Sequence, residues 1–545
     1  MFCPNCGTKN AEGAAFCASC GSALNAAPIQ QDVPVAAPVE EFVTAPETVE
    51  TPAAEKKDLL APIRPLLQKV EPFIQKYKLF VAGALGVLAL ILCISILVSL
   101  FSTNGFITMK HSIGVQVKDE EVYIIYDAKK AKATGLDAKR IDQTQVNIDG
   151  TVLALLTDEG QLAVVKGTKL TKVAEDVTSF KISEDGTGIA YVVRDEDGTT
   201  LFLYNVKNKK SKEVSDDLYR SYTIAPNGDS VAYMEMKEDD EEAKLMFFKG
   251  KKSIKVTSNA VSLLGISNNG KFIYAIGEND DGKSTLYTYN KKGDRNKLGS
   301  IGGSEVIFNE DHTQILFYSD GKSYISTKGK EAVKIASTNA YVLIPNSSEY
   351  FYSSNSCLTA PTDNLYNKVY SCNGDVWYIR KNVNKNEKLV NDAYGLTLSE
   401  DGERVYYYKD DELCVLQVKH GDNASDKAKV LAEDITDYVV TSDGKKVYYI
   451  SDDSVYCVNA KNGKGKKTVA NDDVESYLYI NAKDVVYYIM EGDAYASKNG
   501  SKGKKVVSDA EDIDATANGI VYIETDDTIF ATKGAKKPSK IHTTD

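Results

Sequence analysis

Residues 102–545 predict an all-β fold, a β-propeller of four-stranded blades, and three observations carry that reading. The residues ending the first strand of successive units are Ile182, Ile224, Ile266, Phe308, Ile344, Leu398, Val440 and Ile480, with steps of 42, 42, 42, 36, 54, 42 and 40. A period near 42 is the length of one four-stranded blade. Most units place a Ser/Asn-x-Asp-Gly-like turn after that residue, then a strand rich in Tyr and β-branched residues, as in KISEDGTGIAYVV from Lys181. Gly tolerates positive φ, which makes Asp-Gly a favoured hairpin dipeptide. No helical pattern of useful length interrupts the repeats.

The chain begins with a different kind of element. Cys3, Cys6, Cys17 and Cys20 form two CxxC pairs, each closed by a glycine, Gly7 and Gly21. Such knuckles aim four thiolates at one point, a tetrahedral set suited to structural zinc. A redox dithiol is the competing reading, but no thioredoxin-like βαβ pattern surrounds the pairs. Residues 1–24 resemble the short bacterial zinc ribbons of the CPxCG…CxxCG type, which implies a zinc-dependent module. With almost no apolar core, metal coordination has to supply most of its folding free energy, on the order of 10 kcal/mol. Lys9 and Glu12 are the only charged side chains in the first 25 residues. That argues against nucleic acid and for a protein contact.

Residues 25–57 are a Pro/Ala/Glu-rich low-complexity stretch that cannot bury a core, and read as a disordered tether. Residues 58–78 are more apolar but carry Pro62, Pro65 and Pro72, and read as a juxtamembrane segment. Residues 79–101, LFVAGALGVLALILCISILVSLF, hold no charge over 23 positions. At about 1.5 Å per residue they cross a hydrocarbon core of roughly 30 Å. Arg64, Lys69, Lys76 and Lys78 crowd the N-terminal side, against Lys110 and Lys118 on the other. The positive-inside bias therefore puts the ribbon in the cytoplasm and residues 102–545 outside. Overall the chain is acidic, with a formal net charge of −12, and neither side of the helix reads as a general polyanion binder.

One repeat can be read whole: a strand to Ser183, a turn at Asp185-Gly186, strands Gly188 to Val193 and Thr200 to Val206, a lysine turn, and a strand Ser211 to Ser215. The turns Ser183-Glu-Asp-Gly186, Ala225-Pro-Asn-Gly228, Ser399-Glu-Asp-Gly402 and Thr441-Ser-Asp-Gly444 resemble those of the TolB-type and WD-repeat-like β-propellers, while Phe308 to His312 and Ile344 to Ser348 depart from them. The resemblance implies the fold and leaves the ligand open. Weaker units at Val146 to Asp176 and Asp514 to Ile541 make ten, and Ile113 to Lys132 reads as part of another. Ten or more blades mean either one large ring or two propellers.

With strands lettered A to D, the C–D turns are basic, as at Lys207 to Lys212 and Lys461 to Lys467. Most B–C turns are acidic, as at Asp410-Asp-Glu412 and Asp452-Asp453. This predicts a disc acidic on one face and basic on the rim of the other, suited to a protein or an anionic envelope polymer. Charged turns that merely solubilise and protect strand edges give the same pattern. Cys357 and Cys372 lie outside the membrane, bridged or reduced, whereas Cys414 and Cys457 fall on corresponding C strands and read as buried thiols. The 33 tyrosines suit inter-blade packing better than sugar stacking. His111, His312, His420 and His542 stand in unrelated settings, with no HExxH or GxSxG. The expectation is a non-enzymatic, membrane-anchored scaffold or sensor of a bacterial envelope. The alternative is a glycan-processing propeller enzyme.

Overall fold

The computed structural model describes residues 113–543 except 195–197, 280, 302–305, 346–356, 419–426, 476, 517–518 and 535–536. The ribbon with Cys3, Cys6, Cys17 and Cys20, the tether and the 79–101 segment lie outside the described residues. Among the described residues no helix is long and apolar enough to cross a membrane.

The described chain forms eleven sheets in sequence order, antiparallel except for one added strand in the sixth, the β-propeller that the 42-residue period predicts. Blade 3 is representative: A is Val177–Ile182, B is Gly188–Arg194, C is Thr199–Asn205 and D is Lys210–Ser215. Blade 1 has three described strands, Ile113–Lys118, Glu121–Tyr126 and Lys132–Asp137. Its acidic Asp119-Glu120 turn and its lysine turn at Lys129-Lys130 match the B–C and C–D turns of the other blades. The A strands end at Ile182, Ile224, Ile266, Phe308, Leu398, Val440 and Ile480, as the alignment predicts. In blade 7 the A strand is Tyr341–Val342, two residues short of the predicted Ile344.

Eleven apolar clusters hold the blades together, each joining one sheet to the next. Val152, Leu162, Phe180 and Tyr191 tie blade 2 to blade 3, for example, and Tyr448, Val455, Val486 and Tyr488 tie blade 9 to blade 10. The eleventh cluster packs Ile125 of blade 1 on Ile520, Ile529, Ala531 and Ile541 of blade 11. At this seam Ala131 N donates to Ile541 O at 2.9 Å and Lys118 Nζ donates to Thr543 O at 2.7 Å. The blades therefore form one closed ring, which decides between one large ring and two propellers. B strands such as Val152–Thr157 are buried along their whole length, because neighbouring sheets cover both faces. Nine of the twelve largest fully buried side chains are tyrosines, so packing is the main use of this residue.

Blade 6 carries an extra strand. Cys357–Thr359 pairs in parallel with the A strand Val306–Phe308, between the first and second strands of blade 7. This insertion accounts for the 54-residue step. It places Cys357 and Cys372 in different sheets, and Cys372 is a free, buried thiol. The bridge left open by the sequence is not formed. Cys414 and Cys457 are buried free thiols on C strands, as expected.

The repeat turn has a structural cause. Ser183 Oγ accepts from Thr187 N and Gly188 N and donates to Asp185 Oδ1 at 2.8 Å, while Gly186 takes φ 69°. A short buried acceptor thus satisfies backbone donors at the strand exit. The segment Asn309-Glu-Asp-His312, read from the sequence as a departure, makes the same turn. Asn309 Oδ1 accepts from Gln314 N at 2.7 Å, and His312 occupies the glycine position at φ 54°.

Candidate functional site

Two features concentrate chemistry on the face formed by the A–B and C–D turns. The first is a vestibule where A–B turns of blades 2 to 6 and the insertion after blade 6 meet around a cavity of about 320 Å³. Backbone bonds fix the turns to one another. Ile148 N donates to Glu184 O at 2.9 Å, Asp185 N to Pro226 O at 3.0 Å, and Asn227 N to Asn268 Oδ1 at 2.9 Å. Glu310 N donates to Thr362 O at 2.9 Å, and Asn309 Nδ2 to Asp363 O at 2.9 Å.

The lining presents Asp149, Glu184, Asp185, Glu310, Asp311 and Asp363 and no lysine or arginine. Burial, followed by the fields of Asp149, Asp363, Asp311 and Glu184, raises the Glu310 pKa above its ordinary value. His312, next in the chain to the lining residues Glu310 and Asp311, ties this turn to its neighbours. Its Nδ1 lies 3.1 Å from Ile266 O, and its Nε2 lies 2.9 Å from Thr359 Oγ1 and 3.6 Å from Glu184 Oε1. Its ring stacks on Phe308 at 4.5 Å. Among the described residues no three Asp, Glu, His or Cys side chains are grouped to hold a metal ion.

The second feature is the perimeter. The D strand of each blade from 2 to 11 is the outer edge of its sheet, and each carries an exposed Lys or Arg: Lys169, Lys210, Lys252, Arg295, Lys334, Lys388, Lys429, Lys467, Lys504 and Lys540. Lysine on an open edge discourages pairing with another strand. The lysine-rich C–D turns continue this basic belt onto the face that holds the vestibule. That face is thus acidic around the vestibule and basic at its margin; the basic rim is expected from the sequence, and the acidic vestibule is added to it.

The opposite face owes part of its acidity to conformation. The two-residue B–C turns Asp119-Glu120, Asp410-Asp411 and Asp452-Asp453 have positive φ at both positions. Hairpins of this type need left-handed residues, and Asp accepts that geometry.

The four predicted metal-ligating residues, Cys3, Cys6, Cys17 and Cys20, lie outside the described residues, so no geometry brings them together here. Residues 2–24 match the family model of the zinc-ribbon domain. The donor set of four thiolates fits zinc. No curated protein matches the chain.

Among solved structures, the chain is similar to a eukaryotic initiation factor at 9% identity, covering 73% of this chain and 97% of that one with a TM-score of 0.35. It is also similar to TolB from Acinetobacter baumannii at 13% identity, covering 56% and 75% with a TM-score of 0.26. For the tricorn protease the identity is 11%, the coverage 74% and 62%, and the TM-score 0.22. Likenesses this distant assign no function to this chain.

The sequence pointed to the lysine turns but missed the vestibule. Its only local signal is an acidic residue repeated at the second or third turn position: Asp149, Glu184, Asp185, Glu310 and Asp311.

Proposed function

We propose that the chain is a non-enzymatic, single-pass membrane scaffold of a bacterial envelope. Residues 79–101 span the bilayer, the ribbon docks a cytoplasmic protein, and the propeller binds an anionic envelope polymer outside. The observation that carries this reading is the exposed basic residue on the outer strand of all ten blades from 2 to 11. A repeated cation along a ring's perimeter matches a repeated anion along a polymer, since each pair adds a small attraction and registry is loose. The acidic vestibule keeps such a polymer to the margin. The ribbon match over residues 2–24 supports a zinc-held docking module in which Cys3, Cys6, Cys17 and Cys20 hold the metal. When bound, the metal supplies rigidity to the ribbon.

Co-sedimentation of the full-length chain, in detergent, with cell walls carrying a polyphosphate-type polymer tests the reading. Binding should be strong at low salt, fall steeply as salt rises, and weaken when Lys210, Lys252, Lys429 and Lys504 are changed to Gln. No binding at low salt, or binding indifferent to salt, overturns it.

A further inference from the structure

On the face opposite the vestibule, the inner strands of blades 8 to 11 bring together two exposed tyrosines and three carboxylates. Tyr394 begins the blade 8 A strand Tyr394–Leu398, and Tyr477 precedes the blade 10 A strand Tyr479–Ile480. They are 55% and 67% exposed, the only aromatic residues among the exposed large hydrophobic side chains of the described residues.

The Tyr394 ring is backed by other rings, and the chain beside Tyr477 is held by a hydrogen bond. Tyr394 lies 5.4 Å from Tyr408, which meets Tyr438 edge-on at 5.1 Å, and Tyr438 Oη donates to Gly395 O at 2.6 Å. Gly395 has φ 55°, and a Cβ there would come within 2.2 Å of the Tyr408 ring, so glycine is what lets that ring lie against the backbone. Asp437, on the blade 9 A strand Ile435–Val440, accepts from Leu478 N at 2.6 Å, between Tyr477 and Tyr479.

On the blade 11 A strand Asp512–Ala515, Asp512 and Asp514 are exposed and alternate with buried Ile513, so both occupy the strand's open face. All three carboxylates act on Tyr479, whose pKa burial and these charges raise to about 12. Among the described residues no lysine or arginine is ion-paired with Asp437, Asp512 or Asp514. The surrounding turns, Asp410-Asp411, Asp452-Asp453 and Asp472-Asp473, have the same sign.

We propose that this tyrosine and carboxylate patch is a docking surface for a cationic segment of a partner protein, with a Lys or Arg side chain laid over Tyr477 or Tyr394 and paired with Asp512 and Asp514. Charge complementarity decides the occupant. A ring face attracts a cation, and carboxylates without a counter-cation complete the pair. A neutral sugar would use the rings and leave the negative charge unanswered. The surface is separate from the lysine perimeter and does not depend on it.

The test is fluorescence polarisation of a labelled hexa-arginine peptide against the full-length chain in detergent. Saturable binding is expected, weakened at least tenfold by Tyr477→Ala and by the double change Asp512→Asn with Asp514→Asn. Tyr477→Phe should restore it, since the ring rather than the hydroxyl holds the cation. Asp239→Asn with Glu241→Gln, exposed on the B–C turn of blade 4 and so on the same face but outside blades 8 to 11, should change affinity less than threefold. Absence of saturable binding overturns the proposal. So does equal weakening by the Asp239 and Glu241 changes, which would mean general attraction to an acidic face. Binding of a neutral chitin oligosaccharide that Tyr477→Ala abolishes, with hexa-arginine binding unaffected, would overturn it in favour of a sugar platform.

Discussion

His312 Nε2 stands 3.6 Å from Glu184 Oε1, so the A–B turn of blade 6 touches the A–B turn of blade 3 although two blades lie between them in sequence. The contact depends on an unusual choice, a histidine at φ 54° where sister turns carry glycine. A side chain in that backbone region costs about 1–2 kcal/mol. The ring offsets it by stacking on Phe308 and bonding to Ile266 O and Thr359.

His312→Ala keeps the strained backbone and loses the ring, and should lower stability by about 1–3 kcal/mol. His312→Gly loses the ring but relieves the strain, and should be milder by about 1 kcal/mol. Denaturant titration of both variants measures the difference.

Asp437 gives the ring a pH dependence. Burial lifts its pKa from 3.8 to about 6, against opposing backbone bonds from Leu478 and Tyr438. The folded state therefore holds this proton more tightly than the unfolded state. The associated stability is fully present below the ordinary value and is lost as pH rises through about 6. At about 1.4 kcal/mol per unit the loss is on the order of 2–3 kcal/mol. Thermal unfolding of wild type and Asp437→Asn between these limits should show a flatter profile in the variant.

Cys372 should be chemically silent in the folded protein. Its thiol is buried, and burial, with Asp375 adding to it, pushes its pKa up to about 12, leaving almost no thiolate to react. Thiol titration should label it only after denaturation, and non-reducing peptide mapping should recover it unbridged.

Gly188 and Gly228 mark a close approach of blades 3 and 4. A Cβ on Gly188 would lie 2.4 Å from Gly228 O. Gly188→Ala has to push two backbones apart and should cost about 1–3 kcal/mol, readable as a lower denaturation midpoint.

Zinc should co-purify with the full-length chain at one ion per chain, by elemental analysis. Changing Cys3 and Cys17 to Ser should remove it, and since the propeller has its own core, the main unfolding transition should stay within experimental error.

The parts of the fold governed by local chemistry were readable from the chain. Strand ends at Ile182, Ile266 and Leu398 follow from a short acceptor, Ser183, Ser267 or Ser399, and a glycine at positive φ, so they could be placed from the turn alone, whereas after Ile224 only Gly228 keeps the pattern. Asn309-Glu-Asp-His312 stood out as a departure because the pattern names a glycine at its last position, whereas the turn needs only a residue that takes the left-handed conformation, here His312 at φ 54°. The parallel strand Cys357–Thr359 had no signature, since three residues pairing with Val306–Phe308 across some fifty positions leave no periodicity. The vestibule was invisible for a related reason: Asp149 and Asp363 are ordinary surface carboxylates until the ring brings their turns to one cavity.

The seam between blades 1 and 11 sets a timetable. Every other pair of neighbouring blades is consecutive in the chain, but Lys118 waits for Thr543, 425 residues later. As the polypeptide is made, blades 2 to 10 can each cover the one before, while the outward flank of blade 1, with Ile125, stays bare until blade 11 arrives. A ribosome stalled before blade 11 would leave an arc with two apolar ends. The strands of blade 11 thus decide whether the product is a closed ring or a sticky one.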